Sequence, residues 1–429
     1  MTSQINVRVL PVGEFDTPEV RAEFDAILGV IKNLGCEALV SEAVSDEPGA
    51  QRFAQNTLDP PPDLLIIVAL RGLSAQIIEA AARNCPAPCL LWPVQGRFAL
   101  PSSALAAGAL RDAHLPVELL FGPPDHPRAT ERAGCVARAA AAYSRLRHSR
   151  IGVVGGLFPN LVACRYDAQT LQSRLGVTLV PIAYEDLRAG MQRAPSGPDD
   201  PKFAPAAITS NYAVTPADVP ALAAGLKLHW ALKQTAEALQ LDAFATECWT
   251  GLPRELGLNP CLGFVEDAYT LACEGDVVLC AALLMVRYLT GVRAYVGDLY
   301  DLDLDGRLTL VHCGGPASLA VSPQAVVLGT SRLAHQRGFE TLTCRPNLPA
   351  GPVTLMRLYG QVYDQMHLAM GELTDCEQAP NLSVDVKLAR DRWNFLSQCF
   401  GNHYIVAPGD IRPELNLLAH WLGIGIVET

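Results

Sequence analysis

The chain has no long hydrophobic run and few charged residues. Its longest apolar stretches, Leu64 to Leu70 and Val277 to Val286, are far shorter than the roughly 20 residues that a membrane-spanning helix needs. Charged residues make up 18% of the 429 residues, and acidic residues outnumber basic ones by 44 to 33. No run of lysine and arginine is interleaved with aromatic residues. The sequence therefore predicts a protein that neither spans a membrane nor binds nucleic acid.

The cysteines form neither a disulfide framework nor a zinc motif. They number 13, an odd count, and are scattered through apolar segments of a chain long enough to fold without disulfides. Cys85 and Cys89 are spaced as CxxxC, but no second cysteine or histidine pair follows at zinc-site spacing. The first residues show no basic segment followed by an apolar one. We therefore expect reduced thiols and a cytoplasmic location.

Apart from these absences, the chain is rich in apolar residues and long. Hydrophobic residues make up 50% of the sequence, which favours subunits that bury surface against each other in a homo-oligomer. A length of 429 residues predicts two or three domains of roughly 100 to 200 residues.

The first part of the chain alternates short apolar strands with amphipathic helices. Residues 1–148 form one such series and residues 149–267 a second. Because parallel strands need crossover helices, we expect two doubly wound, Rossmann-like α/β domains. The segment IGVVGG, residues 151–156, lacks the full GxGxxG spacing of a dinucleotide site and is interpreted as a tight turn after a strand.

The pattern changes in residues 268–429, where one apolar helix is followed by closely spaced strand patterns. We expect a β-rich, barrel-like carboxy-terminal domain that carries part of the active site. The segment GNHYIVAPGD, residues 401–410, is predicted as a loop between the last two helices.

Polar residues are concentrated in two apolar segments, TECWTGLPRELGLNPC and LACEGDVVLCAALL. In the second segment, Asp276 precedes an apolar helix and can cap its N-terminus, where backbone N–H groups favour an anion. An ordinary N-cap is therefore one interpretation of Asp276, and a site residue is the other.

The segment ACEGDVVLCAALLMVRYLTG resembles the block of L-fucose isomerases in which an acidic residue, one further residue and an aspartate precede a helix ending in Leu-Thr-Gly. The resemblance continues in CWT and PRELG before this block and in LVHCGGPASLA and FGNHYIVAPGD after it. It covers roughly Cys248 to Gly409. The chain thus resembles a compact member of the L-fucose isomerase-like family, within the L-fucose and L-arabinose isomerase superfamily.

The resemblance implies a divalent metal held by Glu255, Asp276 and His403, with Glu255 and Asp276 also catalytic. Glu247 is the alternative ligand, because it stands where the L-arabinose isomerases place one. Carboxylates and one imidazole suit Mn²⁺, or another ion such as Co²⁺ or Mg²⁺. Such an ion stabilises the enediolate through which an aldose becomes a ketose, while carboxylates act as base and acid.

Further residues are candidates for sugar contacts, namely His312, Trp249, Asp298 and Asn402. The family also implies a trimer or hexamer with the active site near a subunit interface.

Two other classes of function stay open, a non-catalytic sugar-binding or regulatory protein and a metal-dependent sugar epimerase or lyase. The substrate could be a pentose, a hexose, a 6-deoxy sugar or a sugar with an anionic C6 substituent.

Overall fold

The structure is a computed structural model that describes residues 4–56, 61–195, 208, 210–214, 219–330 and 342–429. The chain divides into two compact units. One comprises Met1–Arg145 and Pro413–Gly423, and the other comprises Leu146–Arg412 and Ile424–Thr429. The predicted fold class, α/β with helix-flanked parallel sheets followed by a barrel-like domain, is confirmed.

The first unit contains a five-stranded parallel sheet with the order β2-β1-β3-β4-β5. Its strands are β1 (Ile5–Val12), β2 (Cys36–Val40), β3 (Leu64–Ala69), β4 (Cys89–Leu91) and β5 (Val117–Leu119). The helices that follow them are α1 (Pro18–Asn33), α2 (Glu47–Asn56), α3 (Ala75–Arg83), α4 (Ala99–Asp112) and α5 (Pro127–Leu146). Every residue of β3 is buried, as expected for a central strand covered on both faces.

The second unit begins with a four-stranded parallel sheet in the order β10-β9-β6-β7. Its strands are β6 (Arg150–Val154), β7 (Thr178–Ile182), β9 (Ala243–Thr246) and β10 (Thr270–Ala272). The associated helices are α6 (Ala168–Leu175), α7 (Tyr184–Arg193), α8 (Val219–Leu239), α9 (Gly251–Leu256) and α10 (Val277–Thr290). Helix α10 is apolar on nearly all sides and almost wholly buried, which is typical of a helix inside a large core.

A small sheet in the second unit has the order β14-β13-β8. Its strands are β8 (Ala213–Val214), β13 (Val326–Thr330) and β14 (Leu342–Pro346).

The antiparallel barrel is formed by a seven-stranded sheet in the order β15-β18-β11-β12-β17-β16-β19. Its strands are β11 (Tyr295–Leu302), β12 (Arg307–His312), β15 (Gly351–Tyr359), β16 (Gln365–Glu377), β17 (Leu382–Leu388), β18 (His403–Pro408) and β19 (Gly425–Glu428). Strand β15 also pairs with β16, which closes the ring. Strand β19 pairs with β16 in parallel and lies outside this ring. The last helices are α11 (Arg392–Gln398) and α12 (Arg412–Leu422).

The prediction of a loop over residues 401–410 is wrong, because His403–Pro408 is barrel strand β18. Residues 403–407 are all buried, so the strand shows no alternation of polar and apolar residues. Gly401 and Gly409, which both have positive φ angles, flank the strand closely and are typical of a loop.

Among the described helices, none is both long and apolar enough to cross a membrane.

Candidate active site

The ends of two neighbouring parallel strands bring the acidic residues of the TECW and CEGD segments to one edge of a sheet. Strand β9 ends just before Glu247, and β10 ends shortly before Glu274. Asp276 is the N-cap residue of α10, as the sequence predicts, and its carboxylate accepts the Leu279 N–H at 2.9 Å.

The barrel supplies the second half of the site through three adjacent strands. Asp298 of β11 is the register partner of His403 on β18. On its other side, Asp298 is paired with Val311 of β12, the residue before His312. Strand pairing alone therefore brings Asp298, His312 and His403 together, although Asp298 and His403 are more than 100 residues apart in the sequence.

The turn that carries Glu274 has an unusual backbone. Glu274 adopts a φ of 58°, in the left-handed region that costs a non-glycine residue about 1 to 2 kcal/mol. The following residue, Gly275, has a φ of 71° and lies so close to a neighbouring turn that an added Cβ would stand 1.8 Å from the carbonyl oxygen of Gly156. The carbonyl oxygen of Glu274 accepts the Phe158 N–H at 2.9 Å. Such strain is characteristic of functional sites.

Four side chains form a cluster that could hold a metal ion. Glu274, Asp298, His312 and His403 each offer one ligand atom, and these atoms lie within 4.8 Å of one another. The Nε2 atom of His403 is 3.5 Å from Asp298 Oδ1 and 3.9 Å from Glu274 Oε2. Ligands around a small divalent ion, at about 2.1 Å from it, are themselves roughly 3 to 4 Å apart. The spacing of the cluster therefore suits such an ion.

His403 is held by its other ring nitrogen. Its Nδ1 donates to Asp276 Oδ2 at 3.1 Å, and both side chains are fully buried. Within the described part of the chain, Nε2 of His403 is buried without a hydrogen-bond partner. A buried polar atom of this kind is costly, and a histidine bound to a carboxylate through one nitrogen is the usual arrangement of a metal ligand.

A second possible group, Cys164 with Asp276 and His403, already contains a positive charge. Arg357 donates to Asp276 Oδ2 at 2.9 Å and to Cys164 Sγ at 3.1 Å. The guanidinium is almost fully buried, with 2% of its side chain exposed. Because Arg357 neutralises this group, the cluster around His403 Nε2 is the better place for a metal ion.

Charge–charge interactions control protonation in both groups. Burial alone would raise the pKa of Asp276, but Arg357 and His403 outweigh it and hold this pKa below its ordinary value. Burial would lower the pKa of His403, yet its bond to Asp276 and further contacts raise it to about 10. Burial lowers the pKa of His312 to about 4, against the opposing effect of Asp298. The carboxylates thus favour a positive charge at His403, which a bound metal ion would supply in place of a proton, and burial keeps His312 neutral.

The two glutamates predicted as alternative ligands lie outside both groups. Glu255 has 34% of its side chain exposed, and its oxygens lie 3.1 Å from Arg254 and 4.0 Å from Arg188. Glu247 is buried and caps the start of α9, where its carboxylate accepts N–H groups of Trp249 at 3.1 Å, of Thr250 at 2.9 Å and of Gly251. Their assignment as metal ligands stays a prediction.

Of the remaining predicted residues, Asn402 contacts the cluster, and Trp249 packs against the residue that binds the Glu274 backbone. Asn402 donates to Asp298 Oδ1 at 2.6 Å and so orients one member of the cluster. The Trp249 ring packs 5.8 Å from that of Phe158, whose backbone N–H binds the Glu274 carbonyl oxygen. Asp298, His312 and His403, which the sequence analysis selected, are thus brought together.

The sequence analysis did not select Glu274 and Arg357, which the structure places in these two groups. Glu274 belongs to the EGD motif, in which the aspartate two residues later matches the family pattern. Arg357 is the one charged residue in the apolar strand segment VTLMRLY. A charge inside such a segment is rare unless it is paired, and that signal could have identified it.

No family model matches the chain. Proteins named sulfoquinovose isomerase are similar to it. Those from Priestia aryabhattai and Priestia megaterium are each 25% identical, with 79% of this chain and 79% of the relative covered. One from a Clostridium species is also 25% identical, with 84% of this chain and 85% of the relative covered. The chain is therefore similar to sulfoquinovose isomerases over about four fifths of its length.

Proposed function

We propose that the protein is a metal-dependent aldose–ketose isomerase acting on a sugar. The enzyme class predicted from the sequence agrees with the names of its relatives. The same chemistry suits the acidic and imidazole side chains gathered at the barrel.

The observation that carries the proposal is the environment of His403. Its Nδ1 is bound to the Asp276 carboxylate, and its buried Nε2 faces the carboxylates of Glu274 and Asp298. A purely structural histidine would use both nitrogens in hydrogen bonds. His367 of the same barrel does so, with Tyr404 and Thr429 at 2.6 and 2.7 Å.

We infer that His403, Glu274, Asp298 and His312 hold the ion. Two carboxylates and two imidazoles suit Mn²⁺, and also Co²⁺ or, less well, Mg²⁺. When bound, the ion polarises the sugar carbonyl and stabilises the negative charge that develops on the adjacent oxygens.

We assign proton transfer to the two carboxylates of this group. Isomerisation removes the C2 proton of the aldose and returns a proton to C1, while the hydroxyl proton moves from O2 to O1. Glu274 is suited to the carbon-bound proton because it is the carboxylate better shielded from water, with 12% of its side chain exposed against 33% for Asp298. Asp298, oriented by Asn402, is suited to the hydroxyl proton.

Asp276 becomes a positioning residue in this scheme. It fixes the His403 tautomer so that Nε2 points into the cluster, and Arg357 in turn fixes Asp276. The family resemblance gives Asp276 and Glu255 a direct role instead. The two assignments differ in whether Glu274 or Glu255 binds the metal ion, and mutation of each glutamate distinguishes them.

The names of the relatives make sulfoquinovose the first sugar to test, alongside neutral pentoses, hexoses and 6-deoxy sugars. A homo-oligomer with the active site near a subunit interface and a cytoplasmic location remain predictions from the sequence.

Purified protein should be stripped with a chelator, dialysed and incubated with each aldose, with and without Mn²⁺. Formation of the ketose is followed by nuclear magnetic resonance in D₂O. We expect turnover of at least one sugar only with the divalent ion, and incorporation of deuterium where proton transfer exchanges with solvent. Full turnover by metal-free protein would refute the metal dependence, and an epimer or a cleaved product would reassign the reaction.

A further inference from the structure

Two cysteines flank the candidate active site at the sheet edge formed by β9 and β10. Cys248 directly follows Glu247, and Cys273 directly precedes Glu274. The site as described above assigns neither thiol a role. Cys273 is buried, with 4% of the residue exposed, and Cys248 is half-buried.

Backbone hydrogen bonds bring these two cysteines together. The register of β9 with β10 ends at Ala245 and Ala272, so Thr246 and Cys273 are the next pair along the strands. The carbonyl oxygen of Thr246 accepts the N–H of Cys248 at 2.8 Å, which turns the chain back sharply after β9. The same oxygen accepts the N–H of Gly275 at 2.9 Å. Cys248 is thus folded against the segment that contains Cys273.

The two thiols lie at the same turn. The N–H of Cys248 folds back onto Thr246, the strand neighbour of Cys273, and a hydrogen bond between the two side chains raises the pKa of the Cys273 thiol. The Sγ atom of Cys248 also accepts the backbone N–H of Glu274 at 3.3 Å. One sulfur therefore contacts both the neighbouring thiol and the strained residue to which we assign proton transfer.

We propose that Cys248 and Cys273 are a redox-modification site, at which a hydroperoxide generates a reversible disulfide that inactivates the enzyme. Cys248 is the more accessible thiol and reacts first. Its sulfur attacks the peroxide, giving a sulfenic acid and releasing the alcohol, or water when the oxidant is hydrogen peroxide. The Cys273 sulfur then displaces hydroxide from the sulfenic acid, so the disulfide and one water form. The two thiols lose two electrons in total, which reduce the O–O bond.

The effect on activity follows from the hydrogen bond to Glu274 and rests on the proposed function. In a disulfide the sulfurs approach to about 2.05 Å, much closer than two hydrogen-bonded thiols. The Cys248 sulfur must therefore move from its position beneath the Glu274 N–H. Since Glu274 holds a φ of 58°, loss of one of its backbone hydrogen bonds favours relaxation to an ordinary conformation, and the carboxylate leaves the cluster.

The test treats the full-length protein with a few equivalents of hydrogen peroxide and maps disulfides by tandem mass spectrometry of non-reduced peptides. We expect a Cys248–Cys273 cross-link and recovery with dithiothreitol. The cross-link should lower isomerase turnover by a factor on the order of 10² or more, the usual contribution of a positioned acid or base. Cys248→Ser keeps a hydrogen-bond acceptor near Glu274 and should resist peroxide relative to its own untreated rate. Cys376→Ser, at a half-buried barrel thiol, should remain as sensitive as the parent.

Absence of the cross-link after peroxide overturns the proposal, and so does a cross-linked protein of full activity. Equal peroxide sensitivity of Cys248→Ser and the parent would also contradict it. Mapping of the disulfide does not depend on turnover. A protein that forms the cross-link but isomerises no sugar therefore refutes the proposed function and leaves the modification site standing.

Discussion

Asp276→Asn separates the two roles that Asp276 could have. The sequence alone predicts a folded, nearly inactive variant, since asparagine caps helices about as well as aspartate. It also predicts that stability without metal barely changes or rises slightly, because an anion leaves a crowded acidic site. The structure changes this expectation. One carboxylate oxygen caps α10, but the other accepts hydrogen bonds from both Arg357 and His403. An asparagine that keeps the cap must turn its NH₂ group toward these two donors.

The expected loss is large because the Arg357 guanidinium is buried, with 2% of its side chain exposed. Opposite charges about 3 Å apart attract by roughly 5 kcal/mol at an effective dielectric constant of about 20. Removing one partner of a buried ion pair typically costs about 3 to 5 kcal/mol. We therefore expect Asp276→Asn to lower the free energy of unfolding by about 3 to 5 kcal/mol.

Urea denaturation in the presence of chelator measures this loss without any contribution from bound metal. Asp391→Asn is the matched control, because Asp391 is an exposed N-cap that accepts the Trp393 N–H at 2.7 Å. We expect the control to lose less than about 0.5 kcal/mol. In the double variant Asp276→Asn with Arg357→Met, the unpaired charge is gone, so much of the stability should return.

If Asp276→Asn destabilises no more than Asp391→Asn, the ion pair with Arg357 does not contribute, and the positioning role of Asp276 fails with it. A double variant with the summed losses of both single variants would lead to the same conclusion.

Two further predictions concern stability. Gly275→Ala should lower the free energy of unfolding by more than about 3 kcal/mol, since the new Cβ meets the Gly156 carbonyl oxygen. Gly257 is the control, because it has a similar φ of 70° and a Cβ added there has no neighbour within 4 Å. Gly257→Ala should lose only about 1 kcal/mol in urea denaturation. Burial lowers the pKa of His367 from 6.5 to about 4, so only the unfolded chain binds a proton between these values. Stability should fall by up to about 3 kcal/mol as pH drops through that window, and a parallel pH series on His367→Gln should show a flatter profile; identical profiles would contradict the pKa shift.

The architecture could be predicted because hydrophobic periodicity is local. The βα series and most barrel strands have apolar patterns of the expected period. Among the closely spaced strand patterns of residues 268–429 are RLTLVHC and SVDVKLA, which correspond to β12 and β17. Closure of the barrel by pairing of β15 with β16 joins segments whose partners no local pattern specifies. Strand β18 was missed because burial on both faces removes alternation.

The site could be predicted only in part, for a similar reason. Asp298, His312 and His403 were recognised as polar residues at strand or loop positions, and strand register then brings them together. The choice of glutamate depended on spacing along the chain. Spacing cannot reveal that Glu255 faces Arg188 and Arg254. It also cannot reveal that Glu274 has a left-handed backbone and a carboxylate 3.9 Å from His403 of the barrel.

Arg357 illustrates the remaining difficulty. It lies 81 residues from Asp276, and its effect on the stability of Asp276 variants requires knowledge of the packed barrel. Sequence suggests that a charge in an apolar strand needs a partner, but it does not identify that partner.

The central claim, that Glu274 belongs to a divalent-metal site at His403, is tested most directly by Mn²⁺ binding to matched glutamine variants. Metal-stripped parent, Glu274→Gln, Glu255→Gln and Glu247→Gln are titrated with Mn²⁺ and the free ion is measured by electron paramagnetic resonance. We predict one tight site in the parent and in Glu255→Gln. Binding by Glu274→Gln should be at least about tenfold weaker, because loss of even an outer-shell partner of a metal ligand typically costs about 10- to 100-fold in affinity. Glu247→Gln should keep the metal, with a loss of stability from its weakened cap. Unchanged binding by Glu274→Gln together with loss of binding by Glu255→Gln or Glu247→Gln would contradict the account.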